Sequence, residues 1–400
     1  MANNPAKLLI VPGLKDSHKL AKDIHRILRD DYRLGEEGIE LLLPKTRDEI
    51  PSSERKGQNS SLVVDFFPDM EVQTDIGQIG LEGIIRDKHV AIVQHLYNPV
   101  GIGSVNDRIA IVEGMLDLFG KTSTAHKSLV APFSTYLRAH SVEKYEQRGF
   151  FQFDSLTRML KKYKAFDLNT MISIDPHSVK VKEVALGLGM LFRDMNPFRS
   201  ARSINPAKLG FSGDEGREVI MRLRPFLERF VQIKKENSHL YLVSADSGVE
   251  KRAEYFVDRA FPELDLPHIK LAYFGKDRGS YARSSAEFKS YSRINETNID
   301  TEGTYIIIDD MFASGGTANK RAKILKDNGA KRVEVWTSHA VTSQEQVEKA
   351  MALKFIDKIV CLDTVQQDPR LGIEYINASA DLLAAELYKC HEALQVKMGR

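Results

Sequence analysis

The sequence predicts an α/β protein of two domains, each with a mostly parallel sheet flanked by helices. Short aliphatic runs without polar alternation, such as residues 306–308, alternate along the chain with stretches of helical periodicity. Such runs are typical of strands that are buried on both faces of a parallel sheet. The second half of the chain repeats the pattern of the first. The chain has 400 residues, which is longer than a usual single domain, and its 42% hydrophobic content is enough to form a substantial core.

The first half contains five predicted strands and two helices with clear patterns. A helix follows the first strand, with apolar residues at helical spacing and Asp16 or Ser17 as its cap. A second amphipathic helix is predicted at residues 107–119. Residues 29–61 are polar and turn-rich, and 52–61 are predicted to form an exposed loop. Residues 187–211 are expected to carry the crossover between domains. The predicted strands are residues 7–11, 62–64, 89–94, 128–132 and 170–174.

The second half shows the same alternation of strands and helices. Helices are predicted at residues 251–261, from Ala318 onward, and at 379–398. The polar segment 280–303 is predicted to be a flexible loop. Parallel sheets place ligands at the carboxyl ends of their strands, so the chemistry is expected there. The predicted strands are residues 240–244, 269–274, 306–308, 332–337 and 358–362.

The charge and cysteine content exclude several classes of protein. The 57 Lys+Arg and 55 Asp+Glu residues nearly cancel, which argues against nucleic acid or an anionic membrane as a partner. Cys361 and Cys390 are too few for a disulfide framework, so a reducing compartment is expected. The sequence has no signal-like amino terminus and no run of about 18 apolar residues. The expectation is a soluble cytoplasmic protein.

The stretch around residues 305–320 carries the strongest functional signal. An aliphatic run leads into Asp309 and Asp310, and a loop of small residues at 313–317 precedes the next helix. Glycines after a strand let backbone N–H groups approach a phosphate, and the start of a helix adds partial positive charge. Two carboxylates beside a phosphate need hydroxyl or cation partners, and a ribose phosphate offers a diol together with its phosphate. The Walker pattern is absent because no Gly-Lys-Ser/Thr closes the loop.

The acidic pair followed by Ser-Gly-Gly-Thr resembles the binding motif for 5-phosphoribosyl 1-diphosphate. Phosphoribosyltransferases and ribose-phosphate diphosphokinases share that motif. The rest of the chain resembles the diphosphokinases, because it contains further motifs of that family in the family's order, and phosphoribosyltransferases do not have this series. These further matches are Phe67-Pro-Asp69-Met-Glu71, Asp175-Pro-His177, Ser244 to Arg252, and Lys276-Asp-Arg278.

The resemblance implies a fold and an activity. It implies two phosphoribosyltransferase-type domains at residues 1–208 and 209–375, with a C-terminal helix at 376–400 that packs back on the first domain. It also implies Mg²⁺-dependent transfer of the diphosphoryl group of ATP to the 1-hydroxyl of ribose 5-phosphate. The products would be AMP and 5-phosphoribosyl 1-diphosphate, a precursor in nucleotide biosynthesis. Homo-oligomers are expected, because members of the family bind ATP across a subunit interface.

The resemblance also implies roles for individual residues. Lys276 and Arg278 are the expected catalytic cations, since phosphoryl transfer develops negative charge that positioned cations neutralise. His177 and Asp246 are the expected Mg²⁺ ligands. The expected ATP-binding residues are Phe67, Asp69, Glu71, Arg138, His140 and His177, with Phe67 stacking on adenine. The expected ribose-phosphate residues are Asp309, Asp310, Ala313, Ser314, Gly315, Gly316 and Thr317.

Several positions depart from the family pattern and keep other functions open. The departures are Ala139, His140, Val249 and Ala313, together with extra segments near 35–60, 187–211 and 280–303. One alternative is the same chemistry on a larger acceptor with a ribose 5-phosphoryl end, such as ADP-ribose. A phosphoribosyltransferase is a second alternative. A non-catalytic regulatory homologue that assembles with an active synthetase is a third.

Overall fold

The chain divides into two compact units in a computed structural model of the protein. Unit 1 comprises Met1–Met195 with Ser379–Arg400, and unit 2 comprises Asn196–Ala378. The structure describes residues 6–50, 61–137, 147, 153–198, 213–236, 239–244, 270–273, 291–293 and 299–398. The predicted helix at 251–261 lies outside these residues.

Unit 1 is built on a six-stranded parallel sheet with the strand order β2-β1-β5-β6-β7-β8. Its strands are apolar because helices cover the sheet. The sheet strands are β1 (Leu8–Pro12), β2 (Ile39–Leu41), β5 (His89–Val93), β6 (His126–Val130), β7 (Thr170–Ile174) and β8 (Leu191–Met195). Only helices of at least eight residues are numbered. In the described part of unit 1 these are α1 (His18–Asp30), α2 (Val105–Phe119), α3 (Ser155–Ala165), α4 (Lys180–Gly187) and α9 (Ser379–Lys397).

A β-hairpin stands apart from this sheet. Its strands β3 (Leu62–Phe66) and β4 (Val72–Ile76) pair antiparallel and form a two-stranded sheet of their own. The hairpin packs closely on α2, where an ideal Cβ at Gly114 would lie 2.4 Å from Oγ1 of Thr74. Because no side chain fits in that space, Gly114 permits the close approach of strand and helix.

The C-terminal helix α9 belongs to unit 1 although it follows all of unit 2 in sequence. Its buried side chains include Leu382, Leu383, Leu387 and His391, and it packs on α1 and against β7. A long apolar helix face of this kind is stabilised by burial against a sheet and a neighbouring helix.

Unit 2 is built on a seven-stranded parallel sheet with the order β11-β10-β9-β12-β13-β14-β15. Its strands are β9 (Leu240–Ser244), β10 (Lys270–Tyr273), β11 (Tyr291–Arg293), β12 (Thr304–Phe312), β13 (Arg332–Ala340), β14 (Lys358–Leu362) and β15 (Glu374–Ile376). Within its described residues, its helices of at least eight residues are α5 (Gly213–Arg222), α6 (Pro225–Glu236), α7 (Gly316–Asp327) and α8 (Gln344–Ala352).

Both sheets are wound outward from an inner strand. In unit 1 the chain runs from β1 to β2 on one side and then returns to β5 on the other side of β1. In unit 2 it runs from β9 to β10 and returns to β12. The crevice at the carboxyl ends of such a pair of strands is the usual ligand site of an open α/β sheet. The predicted α/β class, with mostly parallel sheets, is therefore confirmed.

The structure corrects some element boundaries. The central strand β12 does not end at the acidic pair but continues to Phe312, and the following helix begins at Gly316 rather than Ala318. Strand β8 lies inside the region that is expected to carry the domain crossover, and β11 lies inside the predicted loop at 280–303. Within the described ranges, no helix is both long and apolar enough to cross a bilayer. Cys361 and Cys390 are both unpaired thiols and buried.

Candidate active site

The acidic pair lies within β12, close to the carboxyl end of the unit 2 sheet. Asp309 pairs in register with Thr337 of β13, and pairing continues through Phe312 opposite Ala340. Asp310 is only 4% exposed, whereas Asp309 is half-buried. The backbone N–H of Asp310 donates to Oδ1 of Asp309 over 2.9 Å. Pairing with β13, which continues beyond the acidic pair, therefore fixes the backbone from which both carboxylates project.

The loop after β12 turns at Gly315, which is in the left-handed region with φ = 69°. An ideal Cβ there would lie 2.9 Å from the ring of Phe312 and 3.0 Å from Cβ of Ala350. Glycine is the residue that meets both demands without strain or collision. Gly315 is therefore a structural requirement of this turn as well as part of the functional signal.

Helix α7 begins directly after this turn, and its first residues face solvent. Gly316 and Thr317 are exposed, as is Ser314 of the loop. The N–H of Gly316 points at Oγ of Ser314 over 3.5 Å. Exposed N–H groups and hydroxyls at a helix start, with the partial positive charge of the helix, suit a phosphate group.

A buried polar layer lies on the strands next to the acidic pair. Nδ1 of His339 is 2.8 Å from Oγ1 of Thr364, and that hydroxyl donates to the carbonyl of Ser338 over 2.7 Å. Oγ1 of Thr337 is 2.8 Å from Sγ of Cys361. Burial raises the pKa of the Cys361 thiol to about 12, so it is not a thiolate nucleophile. The sequence-based expectations do not include this layer, whose signal is a cluster of polar residues at the carboxyl ends of β13 and β14.

The predicted adenine-binding residues form the tip of the hairpin in unit 1. The N–H of Phe67 donates to the carbonyl of Glu71, and the N–H of Met70 donates to the carbonyl of Phe67, both over 2.8 Å. These bonds close a turn in which Met70 has φ = 70°. Phe67 is half-buried, while Asp69 and Glu71 are exposed. The structure thus brings together three residues that sequence reasoning had grouped only by resemblance.

His177 follows β7 at the end of the unit 1 sheet where the carboxyl ends of the strands lie, and its side chain is exposed. Two residues earlier, Asp175 is 1% exposed and has φ = 36°. A buried, non-glycine residue at positive φ stores backbone strain, and such strain clusters at functional sites. The Asp-Pro-His turn is therefore a constrained feature that directs His177 outward.

Five predicted site residues fall outside the described part of the chain: Arg138, His140, Asp246, Lys276 and Arg278. Their roles stay predictions. Among the residues that the structure describes, no group of three or more His, Cys, Asp or Glu side chains could hold a metal ion. A Mg²⁺ ion commonly keeps several waters and binds through one or two protein ligands and substrate phosphates, so a full protein cage is not required.

Comparison with known proteins places these motifs in a family. The family model described as "Phosphoribosyl transferase domain" matches residues 247–368. The ribose-phosphate pyrophosphokinase of Ureaplasma parvum is 24% identical to this chain, over 98% of this chain and 92% of its own length. Ribose-phosphate pyrophosphokinase 1 of Candida albicans is also 24% identical, over 88% of this chain and 86% of its own. These matches support a divergent member of the ribose-phosphate pyrophosphokinase family.

Ribose-phosphate pyrophosphokinase is another name for ribose-phosphate diphosphokinase, the family that the sequence motifs resemble. The predicted resemblance is therefore confirmed. Ribose-phosphate pyrophosphokinase 3 of Saccharomyces cerevisiae reaches 31% identity, over 42% of this chain and 48% of its own length. The crystal structure of phosphoribosylpyrophosphate synthetase from Mycobacterium smegmatis matches the fold, with a TM-score of 0.65 and 16% identity over 97% of this chain and 99% of its own. That match supports two phosphoribosyltransferase-type domains.

Proposed function

We propose that this protein transfers the diphosphoryl group of ATP to the 1-hydroxyl of ribose 5-phosphate, giving 5-phosphoribosyl 1-diphosphate and AMP. The observation that carries the proposal is the combination at the end of β12: two carboxylates within a fixed strand, a left-handed glycine, and an exposed helix start. The names of the near-full-length relatives support the same activity.

The acceptor binds at the end of β12 in this proposal. Asp309 and Asp310 accept hydrogen bonds from the 2- and 3-hydroxyls of ribose, because a carboxylate offers acceptors to both. Residues 313–317 hold the 5-phosphate through backbone N–H groups and the hydroxyls of Ser314 and Thr317. The sugar is then fixed at both ends, which leaves its 1-hydroxyl free to react.

The donor binds through its base and its phosphates. Phe67 stacks on adenine, while Asp69 and Glu71 accept hydrogen bonds from the nucleotide. Arg138, His140 and His177 contact the phosphates, for which a guanidinium fork is well suited. Mg²⁺, held by His177 and Asp246 with substrate phosphates and water, would supply neutralisation of the phosphate charge.

The reaction is an in-line displacement at the β-phosphorus of ATP. The 1-oxygen of ribose forms a bond to that phosphorus, the bond to the oxygen bridging to the α-phosphorus breaks, and AMP leaves with that electron pair. The 1-hydroxyl gives its proton to solvent water in the same step. Lys276 and Arg278 stabilise the negative charge that develops on the transferring group. No covalent intermediate with the protein is needed.

A larger acceptor is the second candidate. Ser314, Gly316 and Thr317 are exposed, so the outer side of the phosphate loop opens to solvent and would admit a phosphate carrying a further group. ADP-ribose, with a ribose 5-phosphoryl end, meets this description.

Product analysis separates the two acceptors. Purified protein is incubated with ATP, Mg²⁺ and either ribose 5-phosphate or ADP-ribose, and the products are identified by mass spectrometry. The proposal predicts AMP and a mass increase equal to one diphosphoryl group on ribose 5-phosphate. If ADP-ribose gains a diphosphoryl group and ribose 5-phosphate does not, the acceptor is the larger molecule. Failure to convert either acceptor would contradict the proposed activity.

A further inference from the structure

The segment that precedes the hairpin is joined to it by hydrogen bonds. The N–H of Lys45 donates to the carbonyl of Leu62 over 2.9 Å, and the N–H of Val64 donates back to the carbonyl of Lys45 over 3.1 Å. This segment belongs to one of the stretches that depart from the family pattern. It therefore adds a short backbone pairing to β3 that none of the family motifs includes.

One carboxylate ties this segment to the hairpin tip. Oδ2 of Asp65 accepts from the N–H of Arg47 over 2.8 Å, and Oδ1 of the same side chain accepts from the N–H of Phe66 over 2.8 Å. Thr46 and Glu49 form a capping box around the 3₁₀ turn Arg47–Glu49. The backbone of Arg47 is thus held in a fixed relation to the residue directly before Phe67.

Arg47 lies over the aromatic ring to which the proposed function assigns adenine stacking. Its guanidinium carbon is 5.7 Å from the centroid of the Phe67 ring, within the range of a cation–π contact. The guanidinium is planar, so it covers a ring face more completely than an ammonium group does. Because Phe67 is half-buried, part of its ring surface remains open to a ligand.

We propose that Arg47 is a positioning residue for the adenine site: it covers one side of the Phe67 ring and holds it so that the base stacks on the other. This inference rests on the proposed function, since it assigns the hairpin tip to the donor base. A ring that is already held loses less rotational freedom when the base binds. The added segment would thus adjust the affinity for the donor nucleotide, not the chemical step.

A double-mutant cycle tests whether Arg47 acts through the ring. ATP binding is measured by isothermal titration calorimetry for the wild type, Arg47→Ala, Phe67→Leu and the double variant. We expect Arg47→Ala to weaken ATP binding about two- to fivefold, the range of an exposed cation–π contact. In the Phe67→Leu background, the same substitution is expected to change the affinity very little. Equal losses in both backgrounds would overturn the proposal.

Further variants separate ring contact from simple charge. Arg47→Lys keeps the charge but loses the planar group, so we expect it to bind ATP nearly as weakly as Arg47→Ala. Full recovery by lysine would contradict the positioning role. Arg86→Ala is the matched control, because Arg86 is an exposed arginine that pairs with Glu82 and is expected to leave binding unchanged.

Turnover measurements test the role of Arg47 in ATP binding separately from the proposed enzyme activity. In the active enzyme, Arg47→Ala should raise the KM for ATP while changing kcat and the acceptor KM little. A wild type that binds ATP but converts no acceptor would refute the proposed function, while the binding cycle would still decide the role of Arg47. If the wild type does not bind ATP at all, the proposal for Arg47 is wrong as well.

Discussion

The Nδ1 atoms of His89 and His391 lie 3.1 Å apart in the interior of unit 1, joining β5 to the C-terminal helix α9. Nε2 of His89 is 2.9 Å from Oγ of Ser128, and Nε2 of His126 is 2.9 Å from Oγ1 of Thr170. The rings of His89 and His126 meet edge to face, with centroids 4.8 Å apart. The contact between two Nδ1 atoms requires one of them to accept, so one of the two imidazoles must be neutral.

This histidine cluster (His89, His126 and His391) predicts loss of stability in acid. Burial is the main cause that lowers the pKa of His126 and of His391 to about 4, and it lowers that of His89 well below 6.5. The other causes are the positive charges of neighbouring histidines and, for His126, of Lys397. The folded state therefore binds these protons less readily than the unfolded state does. The free energy of unfolding is highest above pH 6.5 and decreases as the pH falls toward 4. Each histidine contributes up to about 1.4 kcal/mol per pH unit.

The measurement is the free energy of unfolding by urea between pH 7 and pH 4.5, followed by circular dichroism. His391→Asn keeps a donor near His89 but cannot gain a proton, so we expect its stability to depend less steeply on pH. Parallel curves for the wild type and His391→Asn would contradict the prediction.

A buried ion pair predicts a large loss of stability in unit 1. Arg108 is fully buried, and its Nη2 lies 2.6 Å from Oδ2 of Asp16. Its guanidinium also donates to the carbonyls of His95 and Ile102. Removal of one partner leaves a buried charge uncompensated, so Arg108→Ala should destabilise the protein by about 3–5 kcal/mol. Chemical denaturation measures this loss.

The control for that variant is an arginine in an exposed ion pair. Arg29 and Asp30 pair at the protein surface, so Arg29→Ala should lose much less stability than Arg108→Ala. If the two variants lose similar stability, the buried pair does not have the structural role that its geometry indicates.

The left-handed glycine of the phosphate loop predicts a specific loss of acceptor binding. Gly315→Ala introduces strain at positive φ and places Cβ 2.9 Å from the ring of Phe312, so the loop must move. We expect the KM for ribose 5-phosphate to rise about tenfold, equivalent to about 1.4 kcal/mol of binding energy. Steady-state kinetics at saturating ATP measure the change.

Gly372→Ala separates backbone strain from collision. Gly372 also has positive φ, 63°, but no atom lies within 4 Å of an ideal Cβ there. This variant should lose about 1 kcal/mol of stability and keep the KM for the acceptor. A rise in KM of the same size in both variants would show that the loop geometry at Gly315 is not specifically required.

The sequence predicted the buried strands well because their signal is local. Strands β7, β9 and β14 have the bounds that their aliphatic runs indicated. Strand β8 was missed because Arg193 and Asp194 interrupt its apolar pattern, as is common at the edge of a sheet. The carboxylates of Asp309 and Asp310 likewise concealed the continuation of β12, since charged residues are rare inside a parallel strand.

Contacts between distant parts of the chain were not predictable from pattern. His89, His126 and His391 are brought together only by the sheet order and by the return of α9 to unit 1. Arg47 likewise lies in a stretch whose sequence is only polar and turn-rich, and its position over Phe67 depends on hydrogen bonds to β3. Such relationships follow from tertiary structure, whereas the acidic pair and glycine loop are adjacent in sequence and were found there.

The rate of AMP release from ATP and ribose 5-phosphate tests the central claim most directly. Asp309→Asn/Asp310→Asn removes the charge of the acidic pair, and Asp327→Asn on α7 is the control because Asp327 is exposed and pairs with Lys323. The account predicts that the double variant loses about 100-fold or more in AMP release while binding ATP normally, and that the control retains activity. AMP release by the double variant at the rate of the wild type would contradict it.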